Sequence, residues 1–410
     1  MRAFLPLLVT LLIQAFSALA MLAVPVLVPV APGPPRLTTA GIGLYVLFAY
    51  VGAVVGSLCA GPLVDRWGAI RTSQFALLLS AAGLGLAALF PAVLFPAALL
   101  VGLGYGPITP ASSHVLIRTT PPQRRNLVFS IKQTGVPVGV ALSGFCIPPL
   151  GTATGWAGTL VVLALACIAT AAAAQPVQPA LDTPTASGWL ERATAGWSAR
   201  RLLTNFLEPL AVILRHPGLR MLTAVSFILS GMQISFTSYL VSFLTSELAM
   251  TALLAGSLLG LSQTGGVIGR IAWGYLSDRL IRPLVMLASL CGGVALASLA
   301  TGGLALAHVA PPGLWLAALM FIFGATVSGW NGVYLAEVAR QAPPGAAGKA
   351  TSGTLACTFL GVIVGAPLFG LIASGAGGFA VAFGVQAVLA LAVSVILFRL
   401  SARQRAEVQN

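Results

Sequence analysis

Apolar runs of about twenty residues recur along this chain from end to end, and they limit its fold more than any other feature. A helix needs roughly 20 residues to cross ~30 Å of hydrocarbon. Runs of that kind lie at about 4–30, 40–60, 72–90, 96–118, 126–149 and 153–174, and again at about 219–243, 250–274, 283–306, 312–340, 349–372 and 378–400. Hydrophobic residues make up 58% of the chain and charged residues 7%, too few to clothe a soluble domain of 410 residues. The expected fold class is an all-α integral membrane protein with twelve transmembrane helices. The first run is too long for a signal-peptide core and has no small-residue cleavage site followed by soluble sequence, so it reads as a retained helix.

Twelve crossings put both termini on one side, and the basic residues say which. In alternate inter-helix segments, one set holds Arg2, Arg66, Arg71, Arg118, Arg124, Arg125, Arg192, Arg200, Arg201, Arg215, Arg279, Arg282, Arg340, Lys349, Arg403 and Arg405; the other holds Arg36. Such a bias places the termini and the Arg-rich turns in the cytoplasm. The same scatter explains the net charge of +13 without a nucleic-acid partner, since no basic patch with interleaved aromatics forms. Cys59, Cys146, Cys167, Cys291 and Cys357 all lie in apolar runs without CxxC spacing and read as packing residues. No nucleophile–base pair, metal cluster or paired carboxylates appear, so no enzyme activity, metal or cofactor is expected.

Between the second and third runs lies a charged turn, Gly61-Pro62-Leu63-Val64-Asp65-Arg66-Trp67-Gly68-Ala69-Ile70-Arg71. It recurs half a chain later as Gly274-Tyr275-Leu276-Ser277-Asp278-Arg279-Leu280-Ile281-Arg282. A second correspondence pairs Gly135-Val136-Pro137-Val138-Gly139 in span five with Gly361-Val362-Ile363-Val364-Gly365-Ala366-Pro367 in span eleven. Each sets a small-xxx-small spacing, which lets two helix backbones approach, beside a helix-loosening proline. Two matches at corresponding places point to a duplicated six-helix unit in parallel orientation. The boundaries drawn are 1–174 for the first bundle, 175–217 for a cytoplasmic linker, 218–400 for the second bundle and 401–410 for a short polar cytoplasmic tail. The linker opens Pro-rich; its stretch from Trp189 to Phe206 mixes apolar and basic residues and suits either a helix on the inner leaflet or a plain tether.

The two turns resemble the loop motif of the major facilitator superfamily, roughly Gly-x-Leu-x-Asp-Arg-x-Gly-x-Arg. Gly61, Leu63, Asp65, Arg66, Gly68 and Arg71 match it closely; in the second copy Gly274, Leu276, Asp278 and Arg279 match, while Leu280-Ile281 replaces x-Gly. The resemblance implies two six-helix bundles that rock about a central cavity. It also implies that Gly61, Asp65, Arg66, Gly68, Arg71, Gly274, Asp278 and Arg279 form part of a cytoplasmic gate; the alternative is a set of charges that only keeps loops in water. The run Ser130-Ile131-Lys132-Gln133-Thr134-Gly135 and Trp330-Asn331-Gly332 look like bacterial uptake carriers of the cyanate-permease and monocarboxylate kind.

Polar groups at membrane depth are costly and mark function or pairing. Lys132 in span five can bind an anion or snorkel to the interface. Tyr105, Thr109 and Ser112 recur at i, i+4 and i+7 on span four. Span seven offers Gln233, Thr237 and Tyr239, span ten Asn331 and Tyr334, with Gln14, Gln133 and Gln263 elsewhere; each suits either a substrate pathway or an interhelical hydrogen bond. Glu337 and His114 are candidate proton carriers, and Glu337 can instead pair with Arg340 or Arg270.

The expected function is a secondary active or facilitative transporter of a small organic solute, an organic anion, by rocker-switch alternating access. A co-transported proton, the lipid bilayer and a monomeric state in a bacterial inner membrane complete that expectation. One alternative is efflux of amphipathic compounds, against which stands the lack of an Arg in the middle of span four. Another, of a different class, is a solute-binding membrane sensor with the same fold.

Overall fold

The computed structural model describes residues 5–31, 37–121, 125–182, 210–308, 311, 313–343, 347–375 and 377–409. The expected interfacial helix of the linker falls within 183–209 and lies outside the described residues, as do the side chains of Asp65 and Lys349. The chain divides into two compact units, Met1–Leu37 with Leu44–Phe206, and Thr38–Gly43 with Leu207–Asn410.

Among the described residues, every element longer than one turn is an α-helix. The first half runs α1 (Leu5–Leu27), α2 (Thr39–Trp67), α3 (Ala69–Leu89), α4 (Leu94–Tyr105), α5 (Ile108–Thr119), α6 (Arg125–Gln133), α7 (Gly135–Ala173) and the single turn α8 (Gln178–Leu181). The second runs α9 (Pro217–Ser246), α10 (Ala252–Arg279), α11 (Pro283–Ala307), α12 (Gly313–Val327), α13 (Asn331–Gln341), α14 (Ala347–Ala373) and α15 (Gly378–Gln409). Among the described residues, eleven stretches are long and apolar enough to cross a membrane. One of them, Ile131–Leu181, is 51 residues long, more than twice a single crossing. Within it α7 breaks at Gly155, whose φ of +66° only glycine adopts without strain, so this stretch holds spans five and six and the total is twelve.

Both halves pair their helices the same way. Span one packs on span five and seven on eleven. Side chains on Gly135 or Gly139 would strike Leu11, Gln14 and Ala15 of α1; on Gly361 or Gly365 they would strike Phe227, Ser230 and Gly231 of α9. The spacing of the glycines and of their partners is preserved, so the duplication inferred from sequence extends to the contacts. Without a hydrophobic drive between helices in lipid, such close backbone approach is what holds the spans together. In the second half three hydroxyls along α9 reinforce it: Ser230, Ser235 and Tyr239 donate to the carbonyls of Thr358, Gly365 and Ala366 at 2.8, 3.2 and 3.0 Å.

Span three packs on span six, where Trp156 Nε1 donates to Ala87 O at 3.1 Å, and span nine packs on twelve, where Ser394 Oγ donates to Ala288 O at 2.8 Å. Spans two and four interlock through glycines, as do eight and ten. An aromatic core of Phe243, Phe369, Phe379 and Phe383 fills the second half near one end of span seven, with ring centroids 5.2–6.5 Å apart.

Three spans expected as continuous helices are broken. Span four parts at Gly106-Pro107, because Pro107 and Pro110 have no N–H to donate and their rings crowd the carbonyls four residues back. Span five parts at Thr134 for the same reason: Pro137, tolerated in the first turn of α7, cannot continue α6. Span ten parts at Ser328–Trp330 without a proline. There Trp273 Nε1 of α10 donates to Ala325 O at 2.8 Å and Arg270 Nε to Ser328 O at 2.9 Å, so side chains replace the ladder. Two boundaries also differ from expectation. Helical turns run on past 174 to Leu181, and residues 401–409 continue α15 as helix.

Candidate functional site

The breaks in spans four and ten sit at corresponding places in the two halves, and the polar side chains gather around them. The backbone at Gly106, Pro107 and Trp330 keeps right-handed helical dihedrals, so what lapses there is the hydrogen-bond ladder, which is tolerated at membrane depth where other groups satisfy the freed carbonyls. Interrupted helices in matching positions are also where transporter binding sites are built.

In the first half, α5 opens with Ile108-Thr109, and Thr109 Oγ1 donates to the Oε1 of Gln14 in α1 at 3.2 Å. Gln14 is fully buried, and its Nε2 finds no partner among the described residues. The Cβ and Cγ of Gln14 lie against Gly135, the first residue of α7. Three residues earlier, at the end of α6, is Lys132. Its side chain is 1% exposed and its Nζ has no hydrogen-bond partner among the described residues. Gln133 beside it is half-buried. Tyr105, the last residue of α4, packs its ring on Tyr50 at 6.2 Å.

In the second half the acceptor is Gln233 of α9. Its Oε1 receives Trp330 Nε1 at 3.0 Å and Asn331 Nδ2 at 3.3 Å, which pins both residues at the mouth of α13. Tyr334 sits one turn on, its ring edge-on to Trp330 at 5.2 Å. Gln263 of α10 is buried, and its Oε1 accepts from Ser328 Oγ at 3.4 Å. The two glutamines are not equivalent in register. By the glycine contacts Gln14 corresponds to Ser230, and Gln233 lies three residues further along its span.

Other candidates are held elsewhere. Ser112 donates to Ile108 O at 2.7 Å and Thr237 to Gln233 O at 3.1 Å, each within its own helix. Tyr239 braces α9 on α14, as above. Of the two partners open to Glu337, the structure selects Arg340: Glu337 Oε2 accepts Arg340 Nε at 2.8 Å, and Oε1 also accepts from Gln341. His114 is exposed on α5. Glu247, at the end of α9, lies 3.4 Å from His308 Nδ1.

At the charged turns, Arg66 and Arg71 are exposed, Gly61 has open space around it, and Gly68 takes φ +89° between α2 and α3. In the second copy Asp278 and Arg279 are exposed, and the Arg279 guanidinium lies 5.4 Å from the Tyr275 ring centroid. Sequence reasoning missed Trp273 and Asp182, and weighed Arg270 only as a partner for Glu337. Arg270 had a visible signal, being the one cation inside the apolar run 250–274. Asp182 accepts backbone N–H groups at the start of α3.

A family model described as Major Facilitator Superfamily matches residues 6–354. The chain belongs to that superfamily. This major facilitator is 29% identical over 332 residues to a Mycobacterium tuberculosis protein named probable nitrate/nitrite transporter NarK2, covering 79% of this chain and 78% of the relative. It is 27% identical over 287 residues to a gallate transporter of Pseudomonas putida, covering 64% and 63%. Solved structures share its fold: the peptide transporter POT in complex with sulfate (TM-score 0.74, 18% identity, 98% of this chain and 94% of that one) and the nucleoside transporter NupG (TM-score 0.74, 16% identity, 96% and 99%). The major facilitator described here is thus a multi-pass membrane transporter of small solutes.

Proposed function

We propose that the chain carries a small organic anion across a bacterial inner membrane by alternating access, with both termini in the cytoplasm and a monomer as the working unit. One observation carries the anion: the buried amino group of Lys132, without a hydrogen-bond partner among the described residues. An unpaired buried charge costs several kcal/mol, so such groups are paired or take their counter-charge from a ligand. Asp65 is the one acidic residue in the first 181, and it stands at the end of span two, so the first bundle holds few carboxylates to meet Lys132. An anionic substrate supplies the missing charge. Gln14 Nε2 offers a second donor without a partner among the described residues, its side chain lying against Gly135 just past the span-five break, and nitrate, nitrite and gallate in the relatives' names are all anions. In this reading Gln233, Trp330 and Asn331 are further candidate solute contacts, and Asp65 and Asp278 with their arginines gate the cytoplasmic side.

Counterflow in proteoliposomes tests this. Vesicles preloaded with one of a panel (nitrate, acetate, benzoate, gallate) are scored for uptake of the labelled form. Accumulation of an anion, lost in Lys132→Ala, is the expected result. Transport of uncharged or cationic compounds alone overturns the anion, and binding without flux turns the assignment to a sensor. An imposed pH gradient in the same vesicles reads whether a proton travels too, with Glu337 and His114 as its candidate carriers.

A further inference from the structure

We infer that Asp182, at the head of the segment joining the two bundles, is the positioning residue that fixes the geometry of the Gly61–Arg71 turn. α2 and α3 meet at a single residue. Gly68 N–H closes α2 on Val64 O at 2.9 Å, and Gly68 O accepts Thr72 N–H at 3.1 Å to open α3. A helix start leaves the N–H groups of its first turn without intrahelical partners, and a side-chain oxygen at the N-cap normally takes them. Gly68 has no such oxygen. The carboxylate comes instead from 112 residues away: Asp182 Oδ1 accepts Ile70 N–H at 2.8 Å and Oδ2 accepts Arg71 N–H at 2.9 Å.

The arrangement is built rather than incidental. Asp182 is 7% exposed. Gln178 Nε2 donates to its Oδ2 at 3.3 Å, and the turns Gln175–Leu181 deliver it there. Gln74 Nε2 of α3 ties the same strap by donating to Ala171 O and Gln175 Oε1, both at 2.9 Å. Gly68 is required twice, once for its positive φ and once because a Cβ there would overlap the Asp182 carboxylate. A buried carboxylate on the positive end of a helix gains from the macrodipole as well as from two charge-assisted hydrogen bonds.

The second copy of the turn is made differently. α11 starts with Pro283 directly after Arg282, and no side chain caps it. Proline at the first helical position presets φ and has no N–H to satisfy. The second turn, where Leu280-Ile281 replaces x-Gly, thus loses one donor to Pro283, while Leu284 and Val285 N–H, the counterparts of Ile70 and Arg71, meet no capping carboxylate among the described residues. Asp182 ties the first turn to the helical turns that follow span six, and among the described residues no side chain does the same for the second.

Hydrogen exchange on the full-length protein in detergent tests the cap without any substrate. In Asp182→Ala, the amides of Ile70 and Arg71 exchange roughly five- to tenfold faster, as expected for loss of a cap, while peptides covering the start of α11 keep parental rates. Asp182→Asn, which retains one acceptor oxygen, falls between parent and Asp182→Ala and serves where the alanine variant folds poorly. Parental exchange at Ile70 and Arg71 in both variants overturns the inference. So does equal acceleration at both turns, which marks global loosening. The result is independent of the substrate proposed above: failure of every anion in counterflow leaves the exchange pattern as it stands.

Discussion

Gln233 Oε1 receives the indole N–H of Trp330 at 3.0 Å, and the amide of Asn331 shares the same oxygen. One side chain of span seven thus fixes the residue that ends the break in span ten and the residue that restarts the helix. Replacing Gln233 by Leu leaves two donors unsatisfied, at roughly 1–3 kcal/mol each where they stay buried. The expected outcome is a lowered melting temperature in detergent. Trp330→Phe in the Gln233→Leu background should recover part of the loss, and a double-mutant cycle measures the coupling.

Lys132→Ala and Lys132→Gln should both abolish anion uptake, by more than tenfold in Vmax/KM, while the protein still elutes as a folded species. Removing an unpaired buried charge relieves a desolvation cost, so the melting temperature should hold or rise. Parental transport kinetics in either variant would show that the ammonium snorkels instead.

Two glycines make opposite predictions. Gly139 meets the Ala15 carbonyl at the crossing of spans one and five, so Gly139→Leu forces the helices apart and should cost several kcal/mol, seen as loss of folded yield. Gly61, inside α2, has nothing within 4 Å of an added Cβ. Gly61→Ala should match the parent or exceed it by about 0.5–1 kcal/mol, the ordinary gain of alanine in a helix. Thermal melts of the two variants side by side check both signs.

The two charged turns should contribute unequally. The first keeps the motif glycine, Gly68, and is capped from Asp182; the second lacks that glycine and starts on Pro283. Asp65→Asn is expected to slow transport more than Asp278→Asn at equal amounts of folded protein, and the reverse order of initial rates would remove the asymmetry.

The positions of the spans were legible because the bilayer fixes helix length, and composition alone satisfies it. The duplication was legible because Gly135/Gly139 and Gly361/Gly365 must be small wherever backbones touch. The breaks were not. Pro107, Pro110 and Pro137 stood in plain view, but proline is common in membrane helices and does not announce which of its sites parts the chain. The break in span ten carries no proline; Trp273 and Arg270 make it from another span, a tertiary cause that span ten's own sequence does not record. Asp182 was hidden by company. It stands in a Pro-rich stretch that reads as linker, and only the fold brings it to Gly68. Glu337 shows the converse: its nearest cation in sequence, Arg340, is the partner it takes.

A membrane helix that runs unbroken tilts as one rod, carrying both faces of the membrane with it. Span four is two rods. α4 is locked into α2 by interlocking glycines, while α5 begins beyond a joint where Pro107 and Pro110 have no N–H to give the ladder. Span ten repeats the design with α12 locked on α10 and α13 beyond the joint. With fewer ladder hydrogen bonds than a continuous helix has, such a joint is where a span bends most readily, one end moving while the other stays seated.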